Sequence, residues 1–135
     1  VEGPTDKTCT PLLAKRLLAF RYHYTLIDCG SKDSIPLYAQ LLNKFKIPYV
    51  AVYDLDHQAH KGADAIQSAD KSTALVEASL DKALATSIVF ANDIEEELGI
   101  QAGQKNKPYA ALVHIESLAF QLSPALEGKV RSIYA

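Results

Sequence analysis

The stretch Tyr49-Val50-Ala51-Val52-Tyr53-Asp54-Leu55-Asp56 constrains this chain most. A run of β-branched and aromatic residues follows Pro48, the composition of a buried strand. The run ends on two acids, one residue apart. In an open α/β sheet, ligands bind at the carboxyl ends of the strands. Alternation along a strand places Asp54 and Asp56 on one face. Two carboxylates so placed repel unless a cation lies between them. Hard oxygen donors suit Mg²⁺, Mn²⁺ or Ca²⁺. The simpler alternative is a pair of solvated loop acids that cap the next segment.

The flanking sequence reads as further strands and helices. Val1-Glu2 is the tail of a first strand, and Gly3-Pro4-Thr5 is a turn. Thr5 or Asp6 can cap the helix that follows. Leu12, Leu13, Leu17 and Leu18 give that helix an apolar stripe, and Pro11 predicts either a kink or a start after Thr10. Residues 24–29 form a second strand, followed by the turn Gly30-Ser31-Lys32-Asp33-Ser34. Residues 35–45 read as a helix with Leu37, Leu41, Leu42 and Phe45 facing in. The polar stretch 57–71 reads as a long loop. A helix over 75–84 and a fourth strand over 86–91 follow it. The acidic turn 93–98 ends at Gly99, a helix covers 108–120, and the tail from Leu122 has no clear pattern.

Strands that alternate with helices imply an α/β fold, a mainly parallel sheet of about four strands flanked by helices. The turns after the strands then open on one edge. They carry Glu2 and Asp6, Gly30 to Lys32, Asp54 and Asp56, and the acids between Asp93 and Glu97. Such a set points to a metal-centred site. A length of 135 residues suits one domain over 1–135. The net charge of −2 gives no global basic field, so a nucleic acid would be held by local Lys/Arg or by metal ions. Two cysteines without a CxxC pair argue against zinc and a disulfide scaffold, and fit a reducing compartment. No apolar run approaches a membrane span and no secretory leader is visible. The opening Val1-Glu2-Gly3 reads as a piece of a longer chain.

Glu2-Gly3-Pro4-Thr5-Asp6 resembles the EGxxD start of TOPRIM domains, and Asp54-Leu55-Asp56 resembles their DxD strand end. The Gly-Ser-Lys turn and Ile47-Pro48 before the DxD strand are similar to the OLD (overcoming lysogenization defect) nucleases. So are the acid context Ile94-Glu95 and a late lysine, Lys107. The resemblance covers about residues 1 to 120. It implies a Rossmann-like TOPRIM fold and a Mg²⁺- or Mn²⁺-dependent DNA endonuclease using two ions. It also implies an ATPase domain earlier in a longer chain, a prokaryotic cytoplasmic setting, and a role in phage defence or DNA repair. No G-x-x-x-x-G-K-[ST] loop occurs here, so ATP would be handled elsewhere. A homodimer would form through segments outside this chain.

Two metals about 4 Å apart can activate water, neutralise phosphate oxygens and stabilise the leaving oxygen. On that chemistry Glu2 and Asp6 would bind one ion with help from Asp54, and Asp56 and Glu95 would complete or flank the second. Glu2 is also a candidate general base or acid, because a carboxylate among other acids has a raised pKa. Lys107 would supply positive charge to the reacting phosphate. Lys32, after Gly30 and Ser31, would touch a DNA phosphate or simply be solvated. Glu96 or Glu97 in place of Glu95, and Lys105 in place of Lys107, stay open. Asp6 as a plain helix cap is the structural alternative at that position. Three rivals remain. A haloacid-dehalogenase-type phosphotransferase also uses DxD, but after its first strand. A topoisomerase- or primase-type TOPRIM enzyme, or an RNA maturase, is the second. A TOPRIM module that binds nucleic acid or a partner without cutting is the third.

Overall fold

The computed structural model describes residues 1–100 and 105–135. The chain divides into two compact units. Val1–Gly3 and Cys29–Asp93 make the first, and Pro4–Asp28 and Ile94–Ala135 make the second.

The first unit is built on a β-α-β crossover. Strand β1 spans Tyr49–Asp54 and strand β2 spans Ala85–Phe90. They pair in parallel, from Tyr49 opposite Ala85 to Asp54 opposite Phe90. A parallel pair needs a long connection, and helix α3, Ala63–Ser79, provides it. Helix α2, Ile35–Lys44, precedes β1. Ile35, Ala51, Tyr53 and Val76 form the core of the unit, with Cys29, Tyr49, Leu80 and Val89 packed against them. Ala51 and Tyr53 alternate on one face of β1, as the pleat requires.

Three expectations need correction. Four strands were expected, but two are present among the described residues. Val1-Glu2 offers too few residues for a ladder before a helix begins at Pro4, and residues 24–29, half of them exposed and half partly buried, join no sheet among the described residues. Strand propensity there finds no sheet surface to pack on, and such propensity depends on packing. The Cys29 N–H donates to the Val1 carbonyl at 3.0 Å, which ties the two segments together without making either a strand. Second, the loop expected over 57–71 is helical from Ala63 onward. Ala63, Ala65 and Ala69 favour helix, and Gly62, at φ +80, ends the preceding turn. Third, α2 buries Ile35 and Ala39, while Leu37, Leu41 and Phe45 are exposed. A two-stranded sheet offers too narrow a face to cover every leucine on the helix.

The second unit is helical. Helix α1 runs Pro4–Arg16 straight through Pro11, so the helix begins well before Thr10. Proline at the first helical position has its φ already set, and its missing N–H would have gone unbonded there anyway. Its buried side is Thr5, Asp6, Cys9, Thr10, Leu13 and Ala14. Leu18 lies outside the stripe, fully solvated at φ +55. Helices α4 (Ile94–Leu98), α5 (Lys107–Glu116) and α6 (Pro124–Ile133) complete the unit. Arg16 donates to the carbonyls of Ile115 at 2.7 Å and Phe120 at 3.4 Å. The unassigned tail is α6, which buries Leu126, Val130 and Ile133 at helical spacing. Ser123 caps it, its hydroxyl accepting from the Leu126 N–H at 3.2 Å. No helix among the described residues is long and apolar enough to cross a membrane.

Candidate metal and catalytic site

In the first unit the site grows from the carboxyl end of β1. Asp54 is the last strand residue and is buried. Beyond it the chain keeps to the side of β2 for two more residues. Leu55 N–H donates to the Phe90 carbonyl at 2.9 Å, and Asp56 N–H to that of Asn92 at 3.3 Å. Asp56 itself adopts φ +61. Aspartate is among the few side chains that tolerate this left-handed region. The alternation that would place Asp56 on the Asp54 face therefore stops at the strand end, which corrects the shared-face reading.

The Asp56 carboxylate turns to two ammonium groups instead. Lys32 Nζ lies 3.2 Å from Oδ2 and Lys61 Nζ 3.0 Å from Oδ1. Lys32 is only 5% exposed and also donates to the Asp54 carbonyl at 2.6 Å. Gly30, at φ +83, opens the turn that brings this lysine inward. Glu2 reaches the same residue from the other side, its Oε2 accepting from the Asp54 N–H at 3.1 Å. Glu2 and Lys32 thus hold the two backbone polar groups of Asp54. Gln58 Nε2 donates to Asp93 Oδ2 at 2.8 Å, latching the turns that follow the two strands. His57 hydrogen-bonds Asp70 of α3.

The electrostatics separate the acids. Burial pushes the Glu2 carboxyl above its ordinary value. The Asp54 N–H works against that, the Asp56 charge adds to it, and the Lys32 charge opposes it. Burial also works to raise Asp56, but hydrogen bonds from Lys61 and Lys32, together with their charges, outweigh it and its pKa falls. The raised Glu2 was foreseen from crowding by acids; burial is the larger cause.

The second unit holds the remaining candidates. Asp6 is buried in the first turn of α1, with Cys9 one turn further on. Burial, then the charges of Asp6 and Glu95, push the Cys9 thiol up to about 12. So Asp6 and Glu95 both stand near one sulfur. Lys107 Nζ is 3.4 Å from Glu95 Oε1, while Glu97 pairs with Lys129 of α6. Within the run of three acids, Glu95 is the one that faces Lys107.

Among the described residues, no three His, Cys, Asp or Glu side chains are grouped closely enough to hold an ion. The donors are all carboxylate oxygens, the chemistry that Mg²⁺ and Mn²⁺ prefer. The cation that Asp56 faces is ammonium. Sequence reasoning placed Lys32 on a DNA phosphate, whereas the structure buries its ammonium against Asp54 and Asp56. Lys61 and Gln58 were missed, since a polar stretch gives no sign of which side chains turn inward. The helical repeat of Asp6 and Cys9 could have flagged Cys9, because residues three apart share a helix face.

Residues 1–56 match the family model for the overcoming lysogenization defect protein-like TOPRIM domain. The match includes Glu2, Asp6, Lys32, Asp54 and Asp56; Glu95 and Lys107 lie beyond it. No curated protein and no solved structure matches the chain.

Proposed function

We propose, from the premise that residues 1–56 are an OLD-like TOPRIM sequence, that this chain is the catalytic part of a nuclease. It would hydrolyse DNA phosphodiester bonds with Mg²⁺ or Mn²⁺ by a two-metal mechanism. The observation that carries this reading is Glu2. Its carboxylate is half-buried, seated on the Asp54 N–H, and raised in pKa beside two further acids. A carboxyl so tuned is suited to holding a cation or moving a proton.

Bound divalent ions would supply an activated water and neutralise phosphate charge. In the first unit, Glu2, Asp54 and Asp56 are the proposed ligands. The Asp54 N–H orients Glu2, and the Lys32 contact to its carbonyl fixes the end of β1. In the second unit, Asp6 and Glu95 are the proposed ligands. Lys107, more than half exposed beside Glu95, is proposed to meet a phosphate oxygen. The proposed partners are DNA and an ATPase domain in a longer chain.

The test is nicking of supercoiled plasmid with Mg²⁺, with Mn²⁺ and with EDTA, for the parent and for Asp54→Asn. Metal-dependent nicking that Asp54→Asn abolishes is expected. Nicking that survives the substitution removes Asp54 from the reaction. A second reading is a TOPRIM module that binds without cutting, and the two lysines engaged on Asp56 favour it. Absence of both nicking and metal binding would support that reading.

A further inference from the structure

The sequence from Lys7 to Ile27 holds four basic residues, Lys7, Lys15, Arg16 and Arg21, and no acid, in a chain whose net charge is −2. Residues 15–24 interleave that charge with rings, Phe20, Tyr22, His23 and Tyr24. In the second unit the rings form one unbroken run of contacts. The Phe20 centroid lies 5.1 Å from that of Tyr22, with the planes at 89°, and 5.5 Å from that of Tyr134. Tyr24 stacks on Tyr134 at 5.5 Å and 17°, and His23 meets Tyr24 edge-on at 4.9 Å. Tyr134 is buried and makes the floor, while Tyr22 is 91% exposed. The backbone fixes the segment. Ala19 and Phe20 N–H donate to the Ala14 carbonyl at 2.8 and 3.2 Å, and Tyr24 N–H donates to that of Arg21 at 3.1 Å.

Cations stand beside these rings. Lys15 Nζ lies 4.9 Å from the centre of the Phe20 ring, and Arg21 Nε donates to the Tyr134 carbonyl at 3.4 Å. Neither forms an ion pair among the described residues. Arg16 is committed to the carbonyls of Ile115 and Phe120. An exposed ring on a fixed backbone offers a face on which a base can stack, and cations beside it can meet the phosphates of the same strand. We propose that this surface binds an unpaired nucleic-acid strand, with a base on Tyr22 and phosphates on Lys15 and Arg21. The assignment of that strand to DNA rests on the nuclease reading; the stacking and the charge do not. A duplex keeps its base faces inside its own stack, so the surface favours the single strand. An anionic bilayer would meet the same charges, but it calls for an amphipathic helix with a broad apolar face. Here the chain leaves α1 after Arg16, and Leu18 is the one exposed aliphatic side chain among residues 15–24.

The experiment is fluorescence anisotropy of a dye-labelled oligothymidylate titrated with the 135-residue chain in EDTA, where no metal ion contributes. The parent is expected to bind it more tightly than a duplex of the same length. Tyr22→Ala is expected to bind at least about fivefold more weakly, the loss of one stacked base. Tyr22→Phe keeps the ring and is expected to stay within about twofold of the parent. Tyr22 is almost wholly solvated, so both variants should keep the parent's melting temperature. Lys15→Gln combined with Arg21→Gln is expected to flatten the slope of log affinity against log salt by about 1.4, two phosphates at about 0.7 each. No binding by the parent, a preference for the duplex, or full affinity in Tyr22→Ala overturns the proposal. Binding to phosphatidylserine vesicles without binding to the oligonucleotide overturns it in favour of a membrane surface. Tighter binding of oligouridylate than of oligothymidylate overturns the assignment to DNA. The nuclease reading is tested separately, by metal-dependent nicking and Asp54→Asn.

Discussion

Glu2→Gln separates what the buried carboxylate costs from what it does. Glutamine keeps an oxygen for the Asp54 N–H, which Glu2 Oε2 accepts at 3.1 Å, and removes the charge. Burial raises the Glu2 pKa from its ordinary 4.5. The folded chain therefore holds this proton longer than the unfolded chain does. Between the unfolded and the folded pKa the native state binds more protons, so stability falls as pH rises through that window. Above the window the cost is constant. In EDTA at pH 7.5 the variant should therefore melt no lower than the parent. With a divalent cation the order should reverse. A ligand at a hundred times its Kd adds about 2.7 kcal/mol. For a chain of 135 residues, about 3–4 °C per kcal/mol turns this into a rise of about 9 °C. Losing one charged ligand of three weakens binding at least about tenfold, which removes about 1.4 kcal/mol, or roughly 5 °C of that rise. The proton competes with the cation at Glu2, so the parent's metal-induced rise should also shrink from pH 7.5 to pH 5.5. Scanning calorimetry of both proteins, with EDTA and with Mn²⁺ at the two pH values, measures all of this. A variant that melts well below the parent in EDTA at pH 7.5, or that keeps the full metal-induced rise, refutes the reasoning.

Two further predictions concern the framework of the site. Cys9 is fully buried with its thiol pushed up to about 12, so it should resist iodoacetamide at pH 8 and react only after unfolding; half-buried Cys29 should react first. Because the unfolded thiol ionises near its ordinary 9.0 while the folded one does not, stability should fall as pH rises above about 9. Phe90→Ala removes a fully buried ring opposite Asp54 in the strand register and should cost about 3–5 kcal/mol, seen as a lower urea midpoint with little change in slope.

Strand β1 was legible because its signal is local: a run of β-branched and aromatic residues between Pro48 and two acids specifies its own conformation. The same holds for the acidic turn of α4 and for the TOPRIM-like motifs at Glu2, Asp6, Asp54 and Asp56, whose spacing needs no third dimension to be seen. The strand count was not legible. Residues 24–29 have strand composition, yet a strand exists only where another backbone completes its hydrogen bonds, and here they join no sheet among the described residues. The stretch 57–71 failed in the opposite sense, since polar composition hid the alanines that carry α3 down to Ala63. Asp56 shows the limit most directly. Period-two alternation assigned its face, but two residues past the strand end the backbone turns to φ +61 and hands the carboxylate to Lys32 and Lys61. Which charges meet depends on chain segments 24 and 5 residues away that fold onto the same strand end. The sequence by itself determined the kind of chemistry available, carboxylates and lysines at strand ends, because residue type and spacing are covalent facts. Only the tertiary structure decided that Lys32 is buried among the acids, because burial and pairing are properties of packing.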